Sequence, residues 1–556
     1  FSKEEKKQFA DKFSASVNNR RPNPNTSAYI IKWVRRLLGN DKLTSNYPVE
    51  SGTPFRFVIG ARSALLGINY GSPQSAILKP ELSRRIIFRG KEYRDPQLQF
   101  YNPALRKYSE NFHPMLGLIN NAPVDYSMNH GVLRHSIVCG VICPTGYENI
   151  FSSFIAGLNQ RSDAKHNVDF LVPFLGFYEA FKAGLDLPNI TSSKWQSISS
   201  TKNPDVYAAA VEFGKAITRK IDQLSAQSVD AILIYIPEAY ETLTAYSDGA
   251  EKFDLHDFVK AYAAQRQVAT QFVRQKTIDS ELHCQIMWAL SLALYVKSGR
   301  IPWTITGTQP NTAFAGIGYS VMRGAKRNNV VVGCSHIYSS DGQGMKYRLS
   351  KIHDVQFDRK DNPYLSEDEA YRLGLTIKDL FHNSFSEIPK RVVIHKRTPF
   401  RREEIKGLVE SLSSAGIKSI DLIEISYEDD LKCFALNYDH TGIDDYPVRR
   451  GMCFPISENT MYLYTHGIAP SVRNPKLKYF QGGKTVPLPL KVVRHYGSSD
   501  MAQIATEILG LSKMNWNSFN LYSKLPCTIE SSNEIARIGW LLSHCEGSLY
   551  DYRYFM

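Results

Sequence analysis

The chain has 556 residues, 43% apolar and 22% charged, with Gly 35 and Pro 27. This is ordinary globular composition, longer than one hydrophobic core usually serves; it excludes collagen-like, fibrous and disordered classes and predicts two or three domains. Lys plus Arg exceed Asp plus Glu by 67 to 54, a formal charge of +13, and Tyr 31 with Phe 28 adds rings on which bases could stack, so the balance favours an anionic partner.

A charged helix (FSKEEKKQFADKF) opens the chain without an apolar signal core, so no export signal is visible. A Pro/Asn-rich break (RRPNPNTS), a basic helical stretch, Tyr29–Leu38, and loop-rich sequence follow, and residues 1–130 read as an irregular N-terminal extension and linker. From Leu133 the signal strengthens. HSIVCGVICP is a continuous apolar run ending in Pro144, as a strand buried on both faces requires. Helical periodicity over Tyr207–Gln227 feeds a second buried strand, VDAILIYIP, stopped by Pro237. A helix from about Asp257, a strand in QFVRQKTI and a long helix, Ser280–Lys297, complete residues 131–305. Strands alternating with helices predict a Rossmann-like α/β domain, a parallel sheet covered on both faces.

After Pro302 the pattern changes. FAGIGYSVMR, NNVVVGCSHIYSS and MKYRLSKIH are three strand-like runs joined by short turns, an antiparallel meander. A helix over Ser366–Asn383, the strand RVVIHK, a helix over Arg402–Ser414 and the strand SIDLIEIS follow. More strands, a helix around Met501–Leu511 and a final helix near Asn533–His544 close the chain. That order is ribonuclease-H-like, over residues 306–556. Cys139, Cys143, Cys284, Cys334, Cys433, Cys453, Cys527 and Cys545 include no C-x-x-C pair and read as buried small hydrophobes in a reduced, cytoplasmic compartment. No run of eighteen apolar residues occurs, so no membrane partner is expected.

The sharpest chemical feature is LHDFVKAY, where His256 and Lys260 stand one turn apart on one helical face. Gln271 opens the next strand and Lys297 closes the next long helix. Two cations, an imidazole and an amide converging on a helix N-terminus would bind an anion; the plainer reading is a solvated face with Lys297 as a C-terminal lysine cap. No G-x-x-x-x-G-K-[ST], H-E-x-x-H or G-x-S-x-G occurs. Asp439, His440, Asp444 and Asp445 are metal-capable but sit in a turn-like stretch that reads as a solvated loop. The tract IHKRTPFRREE places Lys396, Arg397, Arg401 and Arg402 after a buried strand, as an exposed helix start or as contacts to a phosphate backbone. Cutting by a ribonuclease-H-like fold requires carboxylates converging on two divalent metals. FAGIGYSV contains no Asp or Glu, and the end of RVVIHK carries Lys396, Arg397 and Thr398, whose cations repel metals. Such a domain binds and does not cut.

From about Leu118 onward the chain resembles the MID–PIWI half of Argonaute proteins, most of all the short prokaryotic Argonautes and a compact archaeal Piwi protein. The resemblance rests on FHPMLGLINNAPVD, with Ala122 where the family usually has Gly, and on DAILIYIPEAY, HDFVKAYAAQRQVATQFVRQKTI and ALYVKSGRIPWTI. VVIHKRTPF, LGLSKMNWNSFN and LPCTIESSNEIARIG follow in the family's order. It implies a MID domain over 131–305 and a PIWI domain over 306–556. It also implies a guide 5′-phosphate pocket at His256, Lys260, Gln271 and Lys297, with His256 replacing the tyrosine of many members. Met556 would add a C-terminal carboxylate bridging to that phosphate through Mg²⁺ or Mn²⁺, although Ala293 stands where some relatives carry an amide ligand for the ion. Tyr319 and Arg397 or Thr398 fall at degenerate slicing positions, so the resemblance implies a protein that is not itself an enzyme. It would hold a small guide RNA, pair it with complementary invader DNA and activate an APAZ-containing effector (Sir2, TIR or nuclease) in prokaryotic defence. The competing expectations are a guide-directed nuclease with a non-standard site at Asp439, Asp444 and Asp445, and a structural scaffold with vestigial guide binding.

Overall fold

The computed structural model describes residues 55–58, 90–127, 136–199, 203–248, 251–309, 311–321, 330–338, 346–352, 355–358, 362–385, 388–428, 432–435, 448–474, 478–480, 487–539, 541 and 549–556. The opening helix, the stretch Tyr29–Leu38 and the cluster Asp439, His440, Asp444 and Asp445 lie outside the described residues.

The apolar run expected to be a doubly buried strand is one: Ser136–Pro144 is buried throughout from Cys139 onward. It pairs in parallel with Ala231–Ile236 on one side and with Gly184–Asp186 and Trp195–Ile198 on the other. Ala231–Ile236, buried at every residue, pairs in parallel with Ala269–Arg274. Alternate side chains of these strands feed two cores. Ile142, Ile232 and Ile234 pack with Phe213 and Ile217 of the helix Val206–Ser225 and with Val259 of the helix Leu255–Gln265. Cys139, Val141, Leu233 and Tyr235 belong to the core shared by Phe151, Met287 and Trp288 on the opposite face. Helices on both faces leave no wet side, so continuous apolar strands are what such a sheet requires.

The second sheet has ten strands among the described residues. Thr312–Val321, Val330–Tyr338 and Lys346–Ile352 form the expected antiparallel meander, and Leu549–Asp551 adds to its edge. On the other side Thr312–Val321 pairs in parallel with Arg391–Lys396, which pairs in parallel with Ser419–Tyr427. Leu490–Tyr496 then continues antiparallel. The helices Glu367–Phe385 and Arg402–Ser414 cover one face through Leu373, Leu408 and Leu412. Met501–Leu511 and Cys527–Gly539 cover the other through Ile504, Ile508 and Ile529. That last helix begins at Cys527 rather than Asn533. The Pro526 carbonyl accepts from the amides of Ile529 and Glu530, so the fixed φ of proline starts the helix earlier than the polar run SSNE suggested.

The later part of the stretch read as irregular is folded. Leu98–Asn102 and Lys107–Asn111 form a hairpin whose first strand pairs with Thr304–Ile305, after the Rossmann-like sheet. Lys91–Glu92 pairs with Met452–Cys453 at an edge of the ten-stranded sheet. Asp95 binds there too, accepting from Arg450 Nε at 2.8 Å and Lys513 Nζ at 2.7 Å. Among the described residues, no helix is long and apolar enough to cross a membrane.

Candidate anion pocket and the basic end of the large sheet

Asp254 caps the helix Leu255–Gln265, its carboxylate accepting from the Asp257 amide at 2.9 Å. His256 in the first turn is half-buried; its Nδ1 lies 3.3 Å from Asp257 Oδ1, and its ring centre lies 5.4 Å from that of Phe272. One turn on, Lys260 is only 1% exposed. Its Nζ donates to the carbonyl of Thr270 at 2.6 Å and to the main-chain oxygen of Met556. Lys297, the last residue of the helix His283–Lys297, is 2% exposed and donates to Gln271 Oε1. The strand Ala269–Arg274, between the two helices in sequence, carries both Thr270 and Gln271. A helix, a strand, a second helix and the last residues of the sequence thus bring Lys260, Gln271, Lys297 and Met556 together, with His256 at the mouth of the same helix. Lys297 is not a solvated cap.

Burial disfavours the charged form of both lysines. It pulls the Lys260 ammonium down to about 8, with Lys297 and the charge of Glu534 pushing back. Burial, and then the nearby Lys260 charge, pull Lys297 well below its ordinary value. Burial makes the charged form of either lysine costly in the empty protein, and an incoming anion would relieve that cost with charge-assisted hydrogen bonds. Ligand atoms of Asp254, His256 and Asp257 lie within 4.8 Å of one another and could hold a metal. Ala293 offers no ligand atom.

At the carboxyl ends of the parallel strands the basic tract divides. Lys396 is 1% exposed and faces inward, both oxygens of Glu404 accepting from its Nζ at 2.6 Å. The rings of Tyr364, Phe400 and Tyr319 surround it at 4.6, 5.2 and 5.5 Å. The expectation that Lys396 contacts a nucleic-acid backbone is therefore corrected: its charge is neutralised inside the protein. Arg397 and Arg402 are exposed and Arg401 half-buried. The Arg397 and Lys524 cations lie 4.7 and 4.2 Å from the centre of the Tyr427 ring, and Arg401 stacks on Tyr364 at 3.8 Å. Thr398 Oγ1 is buried with no hydrogen-bond partner among the described residues.

Tyr319 donates to Glu404 Oε1 at 3.2 Å, on the face covered by Arg402–Ser414. Its neighbour Gly318 turns to the other face, where a Cβ would stand 2.4 Å from the Ser532 carbonyl oxygen and 2.9 Å from the Asn533 nitrogen. Neither Glu404 nor Gly318 was singled out from sequence. The signal for Glu404 was its place at the third position of a helix, where it accepts from the Arg401 amide at 3.0 Å.

No family model matches the chain. The protein argonaute of Aquifex aeolicus (strain VF5) is 23% identical over 321 residues, covering 56% of this chain and 39% of that protein. The structure of Clostridium butyricum Argonaute bound to a guide DNA and a 19-mer target DNA matches with a TM-score of 0.61 at 18% identity, over 84% of this chain and 55% of that one. The Aquifex aeolicus Argonaute with externally bound siRNA matches with a TM-score of 0.55 at 17% identity, over 89% of this chain and 62% of that one. The chain thus spans less than two thirds of the length of each. Sequence and fold point the same way: the chain is similar to Argonaute proteins in both.

Proposed function

We propose that this chain is a guide-binding subunit whose MID domain, over residues 131–305, grips the 5′-phosphate of a small guide RNA with Lys260, Gln271 and Lys297, His256 meeting the first nucleotide. The observation that carries the reading is the burial side by side of two lysine side chains, Lys297 on the Gln271 amide and Lys260 on the Thr270 carbonyl and the Met556 main-chain oxygen. A buried like-charge pair is expensive unless an anion completes it. A guide and a target DNA are present in one similar structure and an siRNA in another, which supports nucleic-acid partners here. Pairing of the guide with complementary DNA would supply sequence specificity, and the protein would hold the backbone. The main-chain oxygen of Met556, already at Lys260, would supply one ligand to a Mg²⁺ or Mn²⁺ ion beside the phosphate. Such an ion takes one or two protein oxygens and keeps several waters. When bound, it adds positive charge against the phosphate oxygens.

The PIWI domain, over residues 306–556, would not cut. Gly318 leaves no space for a carboxylate, and Glu404, which accepts from Tyr319, is consumed by Lys396. The output would come from an APAZ-containing partner carrying a Sir2, TIR or nuclease effector in the cytoplasm, with Arg397, Arg401 and Arg402 contacting nucleic acid. The test is loading of 5′-phosphorylated RNA by the Lys260→Ala, Lys297→Ala double variant. Loss of loading is the expected result, and undiminished loading would overturn the pocket assignment. With guide, target and Mn²⁺, the wild-type chain should leave the target intact.

A further inference from the structure

We infer that Asp125, which precedes the Rossmann-like sheet in sequence, is a positioning residue for the anion pocket: its carboxylate fixes the end of the helix from which Lys297 projects. The inference rests on the pocket reading proposed above.

Asp125 lies in the short turn Val124–Ser127 and is 4% exposed. One carboxylate oxygen accepts from the Tyr295 hydroxyl at 2.7 Å, and the other accepts from the Ile301 amide at 2.7 Å. Tyr295 belongs to the last turn of the helix ending at Lys297, and Ile301 lies in the turn that leaves it. One acid therefore ties the chain on both sides of Lys297. The adjacent Val124 amide donates to the Pro302 carbonyl at 3.1 Å and reinforces the same junction. A buried carboxylate is tolerated only when its hydrogen bonds are made with good geometry, so this contact tolerates little displacement of either partner.

The other side of that turn faces the pocket's last contributor. Gly299 has a φ of +85°, and a Cβ there would stand 2.3 Å from Arg553 Nη1. The segment that carries Arg553 ends at Met556, whose oxygen accepts from Lys260. Residues 298–301 are thus held between Asp125 and the segment reaching Lys260. Lys297 donates to Gln271 Oε1 from the last residue of that helix, so the position of the helix end sets where its Nζ lies. Without Asp125 the helix end loses two anchors, and the pocket keeps its residues but not their spacing.

The experiment measures the affinities of one single-stranded RNA carrying either a 5′-phosphate or a 5′-hydroxyl, for the full wild-type chain and for Asp125→Ala, Asp125→Asn, Tyr295→Phe and Lys297→Ala. Asp125→Ala should lower the phosphate-to-hydroxyl affinity ratio about tenfold, as expected for losing buried hydrogen bonds to a charged group, while leaving the affinity for the hydroxyl form unchanged. Tyr295→Phe, which removes one anchor without emptying space, should lower the ratio less, and Asp125→Asn should restore part of it. An unchanged ratio, or both affinities falling by the same factor, would overturn the positioning role. If Asp125→Ala does not fold, Tyr295→Phe decides by the same criterion. Loss of the ratio in Lys297→Ala but not in the Asp125 or Tyr295 variants would sink this inference alone, whereas a ratio near one in the wild type would sink the pocket reading with it.

Discussion

Glu404→Gln is the substitution that most directly tests the inward role of Lys396. The carboxylate accepts twice from Lys396 at 2.6 Å, from the Arg401 amide at 3.0 Å, from the Leu365 amide at 3.1 Å and from Tyr319 at 3.2 Å. Both charged side chains are 1% exposed. Replacing one carboxylate oxygen by an amide nitrogen turns a donor toward donors and leaves an ammonium without its counter-charge. Breaking a buried pair from one side costs about 3–5 kcal/mol. Lys396→Met puts an apolar chain among the rings of Tyr319, Tyr364 and Phe400 and should cost about 2–4 kcal/mol, because the stranded carboxylate keeps its two amide donors. The double variant should cost less than the sum by about 2 kcal/mol, since the two residues form one unit. Urea unfolding of the four proteins measures this cycle, and titration of single-stranded RNA at several salt concentrations accompanies it. Lys396→Met should leave the salt dependence of binding unchanged, whereas Arg397→Ala should reduce its slope by about 0.7, the loss of one phosphate contact. Additive single costs, or a Lys396→Met slope change matching that of Arg397→Ala, would refute the reasoning.

Gly318→Asp, which returns an acid to the first strand of the meander, should destabilise the protein by about 1–3 kcal/mol, because the added Cβ meets helix backbone that cannot rotate away. An unshifted melting temperature would contradict that close packing, and Mn²⁺-dependent cleavage by the variant would contradict the argument for inactivity. Burial holds His395 down at about 3, against 6.5 for the free side chain, so below pH 6.5 the unfolded chain takes up a proton that the native chain refuses. Its stabilising contribution is complete above pH 6.5 and is lost progressively toward pH 3, by roughly 2 kcal/mol at pH 5. His395→Gln should therefore show a shallower fall in urea midpoint between pH 7 and pH 5, and equal slopes would reject the assignment.

The helices Arg402–Ser414 and Met501–Leu511 and the strand Arg391–Lys396 have the ends read from the sequence. Each carries its whole signal locally, in apolar period, length and flanking turn residues. The parallel order of the first sheet was legible for the same reason, because strands buried on both faces cannot hide their apolar continuity. Chemistry that depends on which way one side chain turns was not. Lys396 and Arg397 are neighbours in one basic tract, yet strand alternation sends the first into a ring-lined ion pair and leaves the second exposed over Tyr427. The hairpin Leu98–Asn102 and Lys107–Asn111 was missed because its short strands gain their partner only at Thr304–Ile305, two hundred residues away in sequence.

The amino-acid order by itself determined the kinds of element, their succession and the identity of the cationic and amide groups one turn or one strand apart. Only tertiary packing decided that Lys260 and Lys297 lose their water together, that Glu404 rather than nucleic acid neutralises Lys396, and that Asp125 grips the far end of the Lys297 helix. The physical reason is that propensity and periodicity act over a few residues, whereas desolvation and charge pairing act between side chains that only the completed fold brings within 3 Å.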